Sequence, residues 1–334
     1  NSAFVNEKID DVLAQNNSSD DAVEWLIYNS DLVAPVLTDR LSSGNKNKVA
    51  ETKELLSLMG NEGIRIVLSD FASLNDSGKA AVADVLAGQM TKDAIMQLLA
   101  MSSLEGGFDV SVNALIQMGD MADDFLKALL YQDKYYACVN AVLAGNSEIV
   151  IQDIIPLINS PNSYIQNRAL EIIAVSSSDI VAPFVETVLS DNTLTNEKAV
   201  NISTVALLNN KNTAIDEIIK IVALGNADPV TSATMLYELT GGEDLGPIFE
   251  KCATSSNAVN TNDMLKELVN QAGVSGIIQT ALTSDSNEII TSISFALSSY
   301  DKATDAFVEI LNSVNNNDDI NSAIYDLAER LIYD

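Results

Sequence analysis

Histidine does not occur among the 334 residues of this chain. Its absence removes the usual general base near neutral pH and the commonest transition-metal ligand. Cysteine occurs twice, at Cys138 and Cys252, too few to build a metal cluster. Basic side chains number 18 against 47 acids, for a formal charge of −29. Such a surface repels phosphate backbones and anionic lipid, so neither nucleic acid nor a membrane surface is an expected partner. The same acidity keeps an elongated protein in solution, and it also suits a basic partner. No apolar run approaches the roughly 18 residues that a bilayer span requires, so membrane insertion is not expected. Aromatic residues make up only 5%, with one tryptophan at Trp25. The apolar share of 47% is mostly Ala, Ile, Leu and Val, which suits closely packed helices better than a thick sandwich core.

The patterns of catalysis are missing as well. The sequence has no Ser-His or Cys-His arrangement, no phosphate loop and no G-x-G-x-x-G entering a helix after a strand. The stretch "GGEDLG" at 241–246 reads as a helix stop and restart. "NNNDDIN" at 315–321 offers oxygen ligands but lacks the spacing and glycine of a calcium loop. No metal, no cofactor and no enzymatic activity are expected.

What the chain does have is a repeated helix. In "DIVAPFVETVLSD", Val181, Phe184, Val185, Val188 and Leu189 fall at i, i+3, i+4, i+7 and i+8, one apolar stripe. "DLVAPVLTDRLSS" repeats it with Val33, Val36, Leu37 and Leu41, with Arg40 interrupting and Pro35 matching Pro183. Proline in a first helical turn is tolerated because those N–H groups lack intrahelical partners. The stripe restarts at positions 33, 64, 95, 122, 151, 181, 215, 245, 274 and 303, about 30 residues apart, a period that marks stacked repeats. Between these lies a second amphipathic family at 46–59, 77–88, 109–119, 134–144, 163–175, 196–208, 229–240, 261–272, 287–299 and 318–332. Turn residues such as "SSGN", "NDSG", "NSPNS" and "GNADP" fill the gaps. One helical pair cannot cover both of its apolar faces, so each must stack on its neighbours.

"IIPLINSPNSYIQNRALEIIA" at 154–174 resembles the HEAT-like repeat: a proline-containing first helix, a polar turn, then a second helix with a mid-course alanine. The resemblance runs from about residue 20 to the end. It implies an all-α fold: one right-handed α-solenoid of about ten to eleven helical pairs, armadillo-type in architecture. The division would be N-terminal capping helices over 1–30, with one helix within 3–15, repeats over 31–316 and a C-terminal capping helix over 317–334. The Arg and Asp usual in the family are replaced, with Gln166 and Thr231 at the Arg position and Asn159 or Ser160 at the Asp position. A polar ladder between repeats would have to be rebuilt from amides, with Asn113 and Asn140 as candidates; the alternative is that both are solvated surface amides. Two enzymatic branches of the family fit poorly. A di-iron hydroxylase of deoxyhypusine needs histidines, and an alkylpurine DNA glycosylase needs a basic cradle.

The expected function is therefore non-enzymatic: a scaffold or adaptor presenting an extended acidic curved surface to a protein or peptide. By the resemblance the second helices line the concave side, and Glu51, Asn113, Asn140, Asn167 and Glu171 are the candidate outward positions. Tyr131, Tyr135 and Tyr136 in "YQDKYYAC" are a further candidate patch, since surface tyrosines favour binding; they would equally pack over a core edge. Trp25 is expected to close the first helical pair from water. Residues 40–53 form one basic patch (Arg40, Lys46, Lys48 and Lys53 against Glu51), and residues 105–124 are acidic. The alternative function is a small-ligand binder or enzyme with a carboxylate site in the groove, which requires a deep pocket where acids converge. Cys138 and Cys252, four repeats apart, are expected as buried inert thiols, which favours a reducing compartment such as the cytoplasm. The chain opens on Asn1 rather than Met, so an upstream segment with a targeting signal stays compatible with it.

Overall fold

The computed structural model describes residues 2–14, 20–190, 196–255, 258–282, 284 and 286–297. Helices make up nearly all of this, with no strand among the described residues. The chain divides into two compact units, Asn1–Ile149 and Val150–Asp334.

In the first unit α1 (Ser2–Ala14) and α2 (Asp20–Tyr28) precede α3 (Ser30–Leu41), α4 (Lys46–Leu68), α5 (Asp76–Gln89), α6 (Lys92–Met101), α7 (Phe108–Gln117), α8 (Asp120–Leu129), α9 (Tyr136–Ala144) and the single turn α10 (Ser147–Ile149). α4 is broken at Gly60, whose φ of +60° and ψ of −144° lie outside helical space. Only glycine takes that conformation cheaply, so the second helix of one pair runs to Met59 and the first helix of the next begins at once. α3 packs on α4, α4 on α5, α5 on α7 and α7 on α9, with α6 and α8 against their partners.

The second unit opens with a π turn (Val150–Ile154) and a 3-10 turn (Ile155–Asn159). The stripe starting at Ile151 predicts an α-helix there. Pro156 has no N–H to bond the carbonyl of Gln152, so the α register fails. There follow α11 (Ser163–Val175), α12 (Val181–Ser190), α13 (Asn196–Leu207), α14 (Lys211–Ala223), α15 (Pro229–Thr240), α16 (Gly246–Ala253), α17 (Ala258–Ala272), α18 (Val274–Leu282) and α19 (Asn287–Leu297). α11 packs on α13, α13 on α15, α15 on α17 and α17 on α19, while α12 packs on α14 and α14 on α16. The pattern within each unit is the same: each second helix touches the second helix that follows it. The stripe beginning at Ala303, the calcium-loop comparison at 315–321 and the C-terminal helix over 317–334 lie outside the described residues.

Local chemistry fixes the helix starts. Asn45, Asn75, Asn162 and Asp228 stand before second helices and accept first-turn N–H groups at Lys48, Gly78, Tyr164 and Thr231. α15 has Pro229 in its first turn and stops at Gly241, with φ of +67°. Pro183 sits in the first turn of α12. Pro35 does not match it, because α3 extends back to Ser30 and encloses the proline.

The apolar stripes make the core: Val33, Leu37, Ile64, Val67, Ile95, Leu98, Phe184, Val185, Ile218 and Phe249 are all buried. Each such side chain gains about 1.5–3 kcal/mol from leaving water. Arg40, which interrupts the stripe of α3, is buried too, at 4% exposure. Its Nη1 donates to Asn6 Oδ1 and Asp10 Oδ1, each at 3.0 Å, its Nη2 to Glu51 Oε2 at 3.0 Å, and its Nε to Thr52 Oγ1 at 3.2 Å. A guanidinium is the one cation whose planar fork can satisfy four acceptors on α1 and α4 at once. Trp25 is half-buried and meets Phe4 edge-on, with ring centroids 5.6 Å apart, which joins α2 to α1.

Arg40→Ala removes the fork from the junction of α1, α3 and α4, and urea denaturation should show a loss of about 2–4 kcal/mol. A loss near zero would mean that α1 is held by apolar contacts alone.

Candidate functional site

The second helices expose one face in each unit. In the second unit it carries Asn167, Glu171 and Val175 on α11, Glu197, Asn201 and Val205 on α13, Val230 and Glu238 on α15, Asp263 and Asn270 on α17, and Glu288 and Phe295 on α19. Acids and amides are thus interleaved with apolar side chains that water reaches, Val175 and Val205 being more than half exposed. The spacing causes this: with i, i+3 and i+4 positions turned to the core, the residues between must face outward. A groove of about 380 Å³ runs between α11 and α13, lined by Gln166, Asn167, Leu170, Glu197, Asn201 and Val205 among others. In the first unit a groove of about 440 Å³ lies between α4 and α5, with Glu54, Ser57, Asp84 and Val85 in its lining.

The expected outward positions divide. Asn167 and Glu171 lie exposed on one face of α11, and Asn113 is exposed on α7. Glu51 is exposed, but its carboxylate is engaged by Arg40. Asn140 is a correction: it is buried, at 7% exposure. α9 is apolar almost all round, with Cys138, Val139, Val142 and Leu143 buried on either side of Asn140, so packing on both α7 and α8 draws the amide in. Of the tyrosines, Tyr131 and Tyr136 are exposed and Tyr135 is half-buried. Tyr135 holds a left-handed φ of +63° just before α9, with Lys134 Nζ 4.7 Å from its ring centroid. A non-glycine residue pays roughly 1–2 kcal/mol for that conformation.

The basic patch over 40–53 is smaller than its composition suggests. Arg40 is buried and Lys53 pairs with Asp84 at 2.9 Å, which leaves Lys46 and Lys48 as its exposed cations. Amides do link helices distant in sequence, through residues that periodicity alone does not mark. Asn75 Nδ2 donates to Ser42 O at 2.9 Å, Asn209 Nδ2 to Ala174 O at 2.8 Å and Asn260 Nδ2 to Ala223 O at 3.0 Å. Each satisfies a carbonyl at the C-terminal end of an earlier helix, where no intrahelical donor remains. Gln166 makes a shorter link, donating to Ile158 O across the turn just before its own helix. The signal in the sequence is an Asn some 33–37 residues beyond a helix end, visible only once those ends are known.

A larger cleft, of about 640 Å³, lies against α12, α14 and the turn before α15, with Glu186, Glu217, Lys220, Asn226 and Asp228 in its lining. Two of its three carboxylates are committed. Glu217 pairs with Lys220 at 3.0 Å, and Asp228 Oδ2 accepts Thr231 N at 2.8 Å and Thr231 Oγ1 at 2.7 Å. Among the described residues no three His, Cys, Asp or Glu side chains are grouped to hold a metal ion. No single described helix is long and apolar enough to cross a membrane.

Three ionisable groups are shifted by burial. Desolvation raises the Asp123 carboxyl, against the opposing hydrogen bond from Asn146 Nδ2 at 3.0 Å. Cys138 and Cys252 are free and buried; burial raises the first thiol and pushes the second up to about 12.

At about pH 8 neither thiol of the folded chain should react with a disulfide reagent, and both should react in urea; a fast native phase would show an opened core. Asp123 has a folded pKa above its ordinary value of 3.8, so its ionisation costs stability as pH rises through the folded value. Asp123→Asn keeps an acceptor for Asn146 and should stabilise the chain at neutral pH. In urea titrations from neutral pH downward, that gain should shrink as pH nears 3.8; a constant gain would reject the desolvation account.

No protein-family model matches the chain, and no curated protein is similar to it.

Proposed function

We propose that the helical pairs build a right-handed α-solenoid of HEAT-like type, and that the chain is a non-enzymatic scaffold or adaptor. Its partner is a protein or peptide, engaged along the outward face of the second helices. The observation that carries this is the composition of that face in the second unit. Apolar side chains at Val175 and Val205 stand in water beside acids and amides, over shallow grooves between consecutive helices. An extended chain suits such a surface: amides at Asn167 and Asn201 can pair with a peptide backbone, apolar positions give contact area, and Glu171 and Glu197 favour basic side chains. Many weak contacts, rather than one enclosed pocket, would then set affinity.

The 640 Å³ cleft beside α12 and α14 supports a second reading, a small-ligand site with carboxylates in its wall. Glu186 is the acid there not already engaged as an N-cap or by Lys220.

Affinity capture at low and high salt separates the two. The chain should retain a protein partner that elutes as salt rises, since exposed charge pairs are screened beyond about 8 Å at physiological ionic strength. The triple substitution Glu197→Lys, Asn201→Arg and Val205→Glu should abolish retention while leaving the circular dichroism unchanged, because all three are exposed. Retention unaffected by that variant but lost in Glu186→Lys would transfer the function to the cleft.

A further inference from the structure

α8 carries more apolar surface than the core takes from it. Its buried apolar side chains are Ala122 and Leu126, with Leu130 just beyond its end. A second stripe, Met121, Phe125 and Ala128 at i, i+4 and i+7, lies on the side that water reaches. Met121 is 44% exposed, Ala128 is exposed and Phe125 is half-buried. Phe125 stands three residues after the start of its repeat's apolar stripe. At the corresponding position in other repeats Val67, Leu98, Phe184, Ile218 and Ile248 are all buried. In α8 a ring that belongs to the core pattern is left partly uncovered.

The stripe forms one wall of a groove of about 420 Å³, lined by Lys92 of α6 and by Met121, Asp124, Phe125 and Ala128 of α8. Met96, one turn on from Lys92 and so on the same side of α6, is exposed as well.

The chemistry of the groove narrows what can fill it. Backbone groups in the middle of α6 and α8 are used within those helices, and Met, Phe and Ala side chains offer a partner no strong hydrogen bond. A segment seated there has to satisfy its own backbone, which a helix does and an extended chain does not. Methionine, unbranched and polarizable, adapts to the side chains of such a helix. Charge sets the sign of the partner. From Asp93 to Leu126 the chain has six acids and no base. Asp93, Asp120 and Asp124 are exposed on the two helices that form the groove. Lys92 and Lys127 are the bases beside it, and the second pairs with Asp124 at 3.0 Å.

We propose that the groove between α6 and α8 docks an amphipathic helix of a partner protein, apolar along one stripe and basic on its flanks. Met121, Phe125 and Ala128 receive the stripe, while Asp93, Asp120 and Asp124 attract the flanks and fix the orientation. The surface belongs to first helices of the first unit. It does not rest on the peptide reading of the second helices, and either can fail alone.

The full chain, labelled at its methionine methyls, is titrated at about 0.15 M salt with a synthetic peptide of about 18 residues, long enough to form a helix. The peptide has leucine at helical spacing and lysine between. One control scrambles the same composition and a second replaces lysine by glutamate. The methyls of Met96 and Met121 should shift and saturate, and those of Met59 and Met118, which are buried, should not. Both controls should bind at least about tenfold more weakly. The double variant Met121→Lys, Ala128→Lys, read at Met96, should lose at least about tenfold in affinity with unchanged circular dichroism. Glu197→Lys, Asn201→Arg and Val205→Glu together should leave this binding intact. A scrambled peptide that binds as tightly overturns the groove, since charge alone then explains retention, and equal binding of the glutamate peptide overturns the basic partner. Met121 shifts that grow with chain concentration without peptide overturn it in favour of a second copy. Should the double variant misfold, shifts spread over all methionines of the wild type overturn the site.

Discussion

A helix of about ten residues leaves about eight backbone groups without partners at its two ends, against about twelve that it satisfies between them. The described residues lie mostly in helices near that length, so stability depends on what meets the ends. Asparagine does much of that work. At Asn45, Asn75 and Asn162 the side-chain oxygen takes N–H groups of the helix that follows. At Asn75, Asn209 and Asn260 the amide N–H donates a hydrogen bond to the end of an earlier helix. Asn75 does both, and so couples the start of α5 to the end of α3.

The same residue type ties a helix to the end of one some 33–37 residues earlier. A neutral amide carries donor and acceptor together and loses little on partial desolvation compared with an ion. Among the described residues, buried charge is confined to Arg40, Lys79, Asp123 and Arg168. Arg40 is the clearest case, a cation taken into the core with four acceptors closing around it.

A surface with interleaved acids, amides and apolar residues follows from the same architecture. Short helices packed through one stripe must present their remaining positions outward, and consecutive parallel rows leave grooves between them. Glu197, Asn201 and Val205 share a groove with Asn167 because α11 and α13 pack against each other, though they are some 30 residues apart in the chain. The larger cleft beside α14 is different in kind, with Glu217 tied to Lys220 and Asp228 to the start of α15 while Glu186 is tied to neither.

The helices and their order were legible in the sequence because an apolar stripe is a local property: 3.6-residue periodicity at Ile215, Ile218, Ile219 and Val222 states which face is buried whatever it is buried against. The exposed face at Asn167 and Glu171 was legible for the same reason. Asn140 was not, since α9 is apolar around most of its circumference and periodicity gives no direction to a helix without a polar side. Nor was the role of Arg40, whose acceptors at Asn6 and Asp10 are contributed by another helix. The amide bonds of Asn209 and Asn260 and the grooves themselves were decided by tertiary packing. Each depends on which distant residues share a few ångströms of space, and linear spacing carries no record of that.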